Sequence, residues 1–231
     1  MCECWVVNPD RLPIDRLLIQ RSCTLGEQTE IHEKILNASS TSELMGVYNQ
    51  WSDAYDEDLT ERWGYTSPQL AVHLLTTSMQ TKAIAVLDAG CGTGLVGSHL
   101  RRHGINDITG IDYSPGMLEQ AKAKGIYRSL LMMDLNKPLD LPANSFDAVT
   151  CVGTFTSAHV KPEAVNELVR LTRPSGRVIF TVRDDYWEAT NFVDQVIALH
   201  VQKEVLIEQI RLEPYIRSEG SECRFVVLRV V

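Results

Sequence analysis

The fold is decided by the stretch Ile84-Ala-Val-Leu-Asp-Ala-Gly-Cys-Gly-Thr-Gly-Leu-Val-Gly97. Its first four residues are apolar and partly β-branched and lead straight into glycines, which is typical of a buried strand of a parallel sheet. Gly90, Gly92 and Gly94 follow at alternate positions, where the missing Cβ lets the backbone turn sharply and approach a ligand. From Leu95 the apolar spacing predicts a helix whose free N–H groups point back at the turn. A nucleotide site should therefore open at the end of this strand.

The glycine turn fits two classes of cofactor. Residues 92–97 match the dinucleotide pattern G-x-G-x-x-G, which is a weak signal alone. In that pattern the strand runs almost directly into the first glycine, whereas here Asp88 intervenes. A carboxylate repels a pyrophosphate in a low-dielectric turn by roughly several kcal/mol, but it attracts an ammonium group. The frame Asp88-x-Gly90-x-Gly92-x-Gly94 therefore favours a cationic ligand. The candidate contacts in this turn are Asp88, Gly90, Cys91, Gly92, Thr93 and Gly94.

The second frame resembles the first motif of class I S-adenosylmethionine-dependent methyltransferases. Two other segments extend the likeness: Tyr48-x-x-Trp51-x-x-x-Tyr55-Asp56 and Ser114-Pro-Gly-Met-Leu-Glu-Gln-Ala121. The combination is similar to the methyltransferase-like proteins of the Williams-Beuren syndrome region and covers residues 42–231. The resemblance implies a doubly wound, Rossmann-like α/β fold with a seven-stranded, mostly parallel sheet, a C-terminal antiparallel strand pair and an N-terminal helical extension. It also implies S-adenosyl-L-methionine as cofactor and S-adenosyl-L-homocysteine as product.

Composition limits the other classes of function. With 231 residues, 44% of them hydrophobic, the chain suits one α/β domain and a small extension. A net charge of −8 and a pI near 5.3 argue against nucleic-acid binding. No apolar run is long enough for a membrane span, and the six cysteines show neither metal-site nor disulfide spacing. We expect a cytoplasmic protein, with the nucleus left open, that is a monomer or weak dimer and has no metal site and no membrane partner.

The segment ahead of the first strand has two interpretations. Residues 1–41 read as a partly mobile arm, and residues 42–231 as the main domain. Tyr48, Trp51 and Tyr55 have helical spacing, which by itself favours a core stripe. By resemblance, residues 42–66 form a lid over the cofactor, where aromatic faces can hold a sulfonium cation by about 0.5–2 kcal/mol.

Further cofactor contacts follow the next strands. Asp112 lies 18 positions beyond Gly94, where a ribose-binding carboxylate is expected, and its two oxygens can accept from both ribose hydroxyls. Tyr113 and Met117 suit an adenine face. By resemblance, Asp134 and Leu135 meet the adenine edge. Also by resemblance, Val152, Gly153 and Thr154 border the methionine part of the cofactor and face the acceptor.

Periodicity and turn residues predict the remaining elements. Strands are expected at 84–87, 108–111, 129–133, 146–151, 177–181, 205–212 and 224–230. Helices are expected from Ser42, from Leu95, and over 67–79, 115–123, 161–171 and 191–201, with hydroxyl caps at Ser42, Ser67 and Ser114. Residues 173–176 are expected to form a turn before the fifth strand.

The chemistry predicted for this site is an in-line displacement. It requires alignment of acceptor, methyl group and sulfur, and exclusion of water, but no covalent residue. His159 is the candidate base for an acceptor that carries a proton, although an exposed loop histidine fits that position too. If His159 is the base, His159→Ala lowers turnover and leaves cofactor affinity unchanged. Arg183 and Tyr186 are candidates for holding an acidic acceptor.

The acceptor itself has no motif. A small metabolite under the lid is slightly preferred over a protein side chain. Three classes of function stay open from the residues: a methyltransferase, a nicotinamide-dependent oxidoreductase, and a regulator that binds S-adenosylmethionine without catalysis.

Overall fold

The computed structural model describes residues 31, 34, 41–79, 81–156 and 160–231. Within these residues the protein forms a seven-stranded sheet in the order β3-β2-β1-β4-β5-β7-β6. The strands are β1 Ala85–Ala89, β2 Asp107–Asp112, β3 Ser129–Met132, β4 Phe146–Phe155, β5 Thr172–Arg183, β6 Val205–Pro214 and β7 Glu222–Val230.

Helices connect the strands. They are α1 Thr41–Trp51, α2 Tyr55–Glu57 with a π-helical turn Asp58–Arg62, α3 Ser67–Ser78, α4 Leu95–Arg102, α5 Pro115–Ala123, α6 Ala164–Leu171, α7 Asp184–Ala189 and α8 Phe192–Val201. Short loops between β1 and α4 and between β2 and α5 keep both helix N-termini at the carboxyl edge of the sheet, where ligands of such folds bind.

β1 lies inside the sheet and pairs in parallel with β2 and β4. Val86, Leu87 and Ala89 are fully buried, which explains the continuous apolar run. The predicted strand and helix on either side of the glycine turn are confirmed.

The C-terminal strands run in the predicted antiparallel pair. β7 is antiparallel to both β5 and β6, so it is the one reversed strand of the described sheet. Phe180 of β5 faces a buried aromatic group in which the Phe155 and Phe192 rings are 4.9 Å apart and Trp187 stacks on Phe192. The predicted fold class is confirmed.

Several predicted boundaries are wrong in informative ways. β4 continues to Phe155 instead of ending at Cys151, and its last residues form a bulge against β5. Residues 173–176 lie within β5, at a shift in its register with β4, and so are not a turn ahead of that strand. Helix α7 was not predicted, because six residues are too few to show a helical period.

The helix caps differ in outcome. Ser114 accepts a hydrogen bond from the Met117 amide at 3.2 Å, as its predicted cap requires. Ser67 does not cap α3; its hydroxyl lies 3.8 Å from the Cys223 sulfur instead. Helix α1 begins at Thr41, one residue before the predicted cap Ser42.

The chain divides into two compact units, Met1–Val47 and Tyr48–Val231. The predicted arm, residues 1–41, lies almost entirely outside the described residues. None of the described helices is long and apolar enough to cross a membrane.

Candidate functional site

The glycine turn has the backbone conformation that its sequence predicts. Gly90, Gly92 and Gly94 have φ values of 68°, 53° and 93°, in the left-handed region that favours glycine. A Cβ on Gly90 would overlap the Thr154 hydroxyl and lie 3.0 Å from its methyl group, whereas a Cβ on Gly92 would meet nothing within 4 Å. The turn therefore packs tightly on β4 at Gly90 and leaves open space at Gly92.

Asp112 ends β2 beside this turn. Its two carboxylate oxygens accept hydrogen bonds from the amides of Gly92 and Ser114, each at 2.8 Å. Burial raises the pKa of Asp112, and these amide hydrogen bonds oppose the rise. Each carboxylate oxygen has a second lone pair, so the group can still accept ribose hydroxyls from a bound cofactor.

Asp88 has partners that the sequence did not indicate. It is 1% exposed and accepts hydrogen bonds from the Tyr127 hydroxyl at 2.7 Å and the Thr150 hydroxyl at 3.1 Å. Burial raises its pKa to about 6, against the lowering effect of these bonds. A hydroxyl inside the fold donates to each carboxylate oxygen, which keeps a second lone pair. The predicted contact with an ammonium group stays a prediction.

Tyr127 was missed by the sequence analysis. A Cβ on Gly97 would overlap its hydroxyl, and a Cβ on Gly94 or Gly110 would lie 3.0 Å from its ring. Three glycines from the turn, α4 and β2 thus leave the space that this ring fills. No local motif indicates the contact, because Tyr127 follows α5 and is distant in sequence from Asp88.

The segment around Trp51 is held against the glycine turn and α5 by polar contacts. Asn49 accepts from the Ser114 hydroxyl at 2.6 Å and the Gly116 amide at 3.0 Å. Asp56 accepts from the buried Thr93 hydroxyl and pairs with the Lys124 ammonium. We call the contacts of Asn49 and Asp56 the latch.

The three predicted lid aromatics have different surroundings. Trp51 is 7% exposed, donates to Asp58 at 2.8 Å and packs on Trp63, so it belongs to the core of this segment. Tyr48 and Tyr55 are half-buried, with ring centroids 6.5 Å apart. Burial and the charge of Asp112 raise the pKa of Tyr48 to about 12, and the pKa of Tyr55 also rises, so both phenols are neutral donors beside the predicted ribose site.

The predicted adenine contacts lie beyond β2 and β3. Tyr113 is 39% exposed, whereas Met117 and Leu135 are buried. Asp134 accepts from the Asn136 amide at 3.0 Å and pairs with Lys137 at 3.3 Å. Cys91 is buried within the turn, where burial raises the pKa of its thiol.

Val152, Gly153 and Thr154 form the bulge of β4. β4 and β5 pair at Cys151 and again at Phe155, with the register shifted between them. Gly153 has φ of 75° within this bulge. Bulges of this kind re-aim side chains next to functional sites.

Two tyrosines that the sequence analysis missed meet at this bulge. A Cβ on Gly153 would overlap the Tyr65 hydroxyl and lie 3.6 Å from the Tyr215 hydroxyl. The two rings contact edge to face with centroids 5.2 Å apart. Tyr65 also bridges to Ile216 through the backbone.

The predicted acceptor contacts and the predicted base have different surroundings. Arg183 ends β5 and pairs with Asp185 at 2.9 Å. Tyr186 is 8% exposed and donates to the Val160 carbonyl at 2.9 Å, so its hydroxyl has a partner inside the fold. His159 lies outside the described residues. Among the residues described, no group of histidine, cysteine or carboxylate side chains could hold a metal ion.

Comparison with known proteins supplies the family. Residues 87–180 match the methyltransferase domain family. The human methyltransferase-like protein 27 is 37% identical over 164 residues, which cover 68% of this chain and 66% of the human protein. The chain belongs to the S-adenosylmethionine-dependent methyltransferases. The family predicted from the three sequence segments is therefore confirmed, and the nicotinamide oxidoreductase alternative is not retained.

The chain is also similar to a bacterial methyltransferase in sequence and to a solved cyclase in fold. A ubiquinone biosynthesis O-methyltransferase of Alkalilimnicola ehrlichii is 34% identical over 103 residues, covering 42% of this chain and 40% of the bacterial one. The solved structure of the cyclase SpnF has a TM-score of 0.64 at 16% identity, covering 84% of this chain and 98% of that one. Because its sequence identity is only 16%, the similarity to SpnF shows a shared fold and nothing more. The methyltransferase thus aligns with about two thirds of the human relative's length and less than half of the bacterial one's.

Proposed function

We propose that this methyltransferase moves a methyl group from S-adenosyl-L-methionine to a small-molecule acceptor and releases S-adenosyl-L-homocysteine. The observation that carries the proposal is Asp112, held by two amide hydrogen bonds beside an open glycine turn. That arrangement fits a ribose whose two hydroxyls donate to a fixed carboxylate.

The side chains around Asp112 suit the rest of the cofactor. Tyr113 and Met117 supply an aromatic face and a soft sulfur for adenine. Gly92 has no Cβ and faces open space, so a ligand can approach the backbone of the turn there. When bound, S-adenosylmethionine supplies a methyl group activated by the positive sulfonium. Tyr48 and Tyr55 can meet that cation with ring faces or phenol oxygens.

The latch supports enclosure of the reacting groups. Asn49 and Asp56 draw the aromatic segment toward α5 and the glycine turn. A closed segment excludes water, which strengthens electrostatic contacts and holds the acceptor in line with the methyl group.

A small acceptor is preferred over a protein side chain for two reasons. The latch holds the aromatic segment against α5 and the glycine turn, and we infer that this arrangement favours an acceptor small enough to be enclosed. The bacterial relative's name places it in ubiquinone biosynthesis, where the acceptor of an O-methyltransferase is a small molecule. The cytoplasmic location, the monomeric or weakly dimeric state and the lack of a nucleic-acid partner stay predictions from composition.

Calorimetry tests the cofactor assignment. We expect S-adenosylhomocysteine to bind at micromolar or tighter concentration and NADH not to bind. Asp112→Asn should weaken S-adenosylhomocysteine binding by about 10- to 100-fold, because a hydrogen bond to a charged group contributes about 1.5–3 kcal/mol.

The matched control is Asp107→Asn, at the opposite end of β2, where Asp107 pairs with the exposed Arg128. This variant should bind S-adenosylhomocysteine like the unmodified protein. Tight NADH binding without S-adenosylhomocysteine binding would overturn the proposal. Binding without methyl transfer to any acceptor would favour the non-catalytic regulator.

A further inference from the structure

The carboxyl edge of the sheet has two halves. Most predicted cofactor residues of the sheet lie on the β3-β2-β1 half, around Asp112 and the glycine turn, whereas Val152 and Thr154 lie on β4. By resemblance, Val152, Gly153 and Thr154 of β4 would border the methionine part of the cofactor, which carries the methyl group. The acceptor therefore belongs over the bulge of β4 and the ends of β5 and β7.

Two tyrosines meet at that place from distant parts of the chain, and the sheet register brings the end of β5 near them. Tyr65 follows the π-helical turn, Arg183 ends β5, and Tyr215 follows β6. Arg183 pairs with Cys223 in the sheet, and Cys223 pairs in turn with Glu213, two residues before Tyr215. The Tyr215 amide donates to Ser221 at 2.8 Å, which holds this end of the hairpin closed.

The two phenols can donate to a ligand. Their hydroxyls converge over Gly153, where a Cβ would overlap the Tyr65 hydroxyl and lie 3.6 Å from the Tyr215 hydroxyl. Each phenol carries one O–H donor, so a ligand oxygen placed there can accept from them. Both groups have a pKa raised by burial, so they remain protonated donors at neutral pH.

Arg183 adds positive charge to these donors. Its charge acts on Tyr215, lowering a pKa that burial raises. Its guanidinium has five N–H donors, and its described hydrogen bonds use only the Nε group, toward Asp185. Two neutral phenols and a guanidinium form a set of donors that suits an anionic oxygen.

We propose that Tyr65, Tyr215 and Arg183 bind the carboxylate of a small organic acid, and that the product is its methyl ester. The inference rests on the proposed function. A carboxylate oxygen forms the new O–CH3 bond with its lone pair while the C–S bond breaks and its electron pair stays on sulfur. A carboxylic acid with a pKa near 4 is already ionised at neutral pH, so no proton moves and no base is needed.

The test uses the full chain, tritiated-methyl S-adenosylmethionine and the metabolite pool of a deproteinised cell extract, with an untreated lysate in parallel. Methyl esters release tritiated methanol in mild alkali, whereas N-methyl, S-methyl and ether products do not. We expect label in the small-molecule fraction that alkali releases as methanol.

Variants then connect the product to the residues. Tyr215→Phe, Tyr65→Phe and Arg183→Gln should each lower kcat/KM for the labelled acids by about tenfold or more, in line with loss of one hydrogen bond to a charged group. Their S-adenosylhomocysteine affinity should stay within about twofold. Arg173→Gln is the matched control, because Arg173 lies near the start of β5 and also pairs with one aspartate. It should keep the full kcat/KM.

The outcomes separate the two proposals. Alkali-stable label in small molecules, or label confined to proteins, overturns the acid assignment and leaves methyl transfer standing. Variants no worse than Arg173→Gln overturn the roles of the three residues. If S-adenosylhomocysteine binds but no label is incorporated anywhere, the proposed activity fails, and the acid assignment with it.

Discussion

The two halves of the carboxyl edge are built differently. The half at β1 and β2 relies on carboxylates and backbone amides: Asp112 is held by the amides of Gly92 and Ser114, and Asp56 joins the segment around Trp51 to Thr93. The half at β4, β5 and β7 relies on tyrosine rings around Gly153. The β1 and β2 half holds the predicted cofactor site, whose ligand is the same for every acceptor. The β4, β5 and β7 half holds the proposed acceptor site, whose residues can differ between acceptors without any change in the glycine motif.

Replacing Gly90 or Gly153 with alanine should give the largest difference between the two halves in stability and in S-adenosylhomocysteine binding. Gly90 and Gly153 have similar positive φ, so both variants carry about 1–2 kcal/mol of backbone strain. Gly90→Ala also meets the stiff, β-branched Thr154, whereas Gly153→Ala meets the far end of Tyr65. We expect Gly90→Ala to lose about 3–5 kcal/mol of stability in denaturant unfolding, together with S-adenosylhomocysteine binding.

Gly153→Ala should lose about 1–3 kcal/mol and keep S-adenosylhomocysteine affinity while turnover falls. If Gly153→Ala weakens cofactor binding as much as Gly90→Ala does, the two halves are not separable.

The pH dependence of stability should distinguish the buried carboxylate of the first half. The pKa of Asp88 rises to about 6 in the folded protein. Between about pH 4 and pH 6 the folded state therefore binds more protons than the unfolded state, so stability falls as pH rises through this window and levels off above it. The contribution of Asp88 is about 3 kcal/mol across the window.

Asp88→Asn removes that contribution. The stability of the unmodified protein relative to Asp88→Asn should increase as pH is lowered from 7 to 4.5, measured by urea unfolding. Parallel pH curves for the two proteins would show that Asp88 does not titrate in this range.

Removal of one hydroxyl tests what supports the glycine turn. Tyr127→Phe keeps the ring that fills the space left by Gly94 and Gly97 but removes the donor to Asp88. The loss should be about 1.5–3 kcal/mol at pH 7.5, because the bond is to a charged group. Tyr113→Phe, at an exposed tyrosine, should change stability by less than about 0.5 kcal/mol. Equal effects of the two variants would remove Tyr127 from the support of the turn.

Weakening the latch should have the smallest effect of these changes on stability. Asp56→Asn weakens its contacts with Thr93 and Lys124, and the Asp56 side chain is 37% exposed, so the change is about 1 kcal/mol or less. Rapid-mixing kinetics should show S-adenosylhomocysteine dissociating about 2- to 5-fold faster. Glu57→Gln is the control, because Glu57 pairs with Arg62 inside the same segment. An unchanged dissociation rate in Asp56→Asn would contradict a role of the latch in holding the cofactor.

Sequence reasoning worked best where contacts are local. The strand, glycine turn and helix around Gly92, and the cap at Ser114, depend on residues a few positions apart. It failed at the end of β4, which was predicted to stop at Cys151 but continues through a bulge at Gly153 to Phe155. The sequence also did not indicate that the Tyr186 hydroxyl donates to the Val160 carbonyl, and its role as an acceptor contact stays a prediction.

The sequence alone predicted the carboxylates of β1 and β2 beside the glycine turn from the short-range pattern of glycines, acids and apolar runs, and its resemblance to a known family implied the sheet with its reversed C-terminal strand. Only the tertiary structure decided that Tyr127 supports Asp88 and that Tyr65 meets Tyr215 over Gly153. The physical reason is that ring packing depends on which strands become neighbours in the sheet. That neighbourhood joins residues as far apart as Tyr65 and Tyr215, so no local spacing records it.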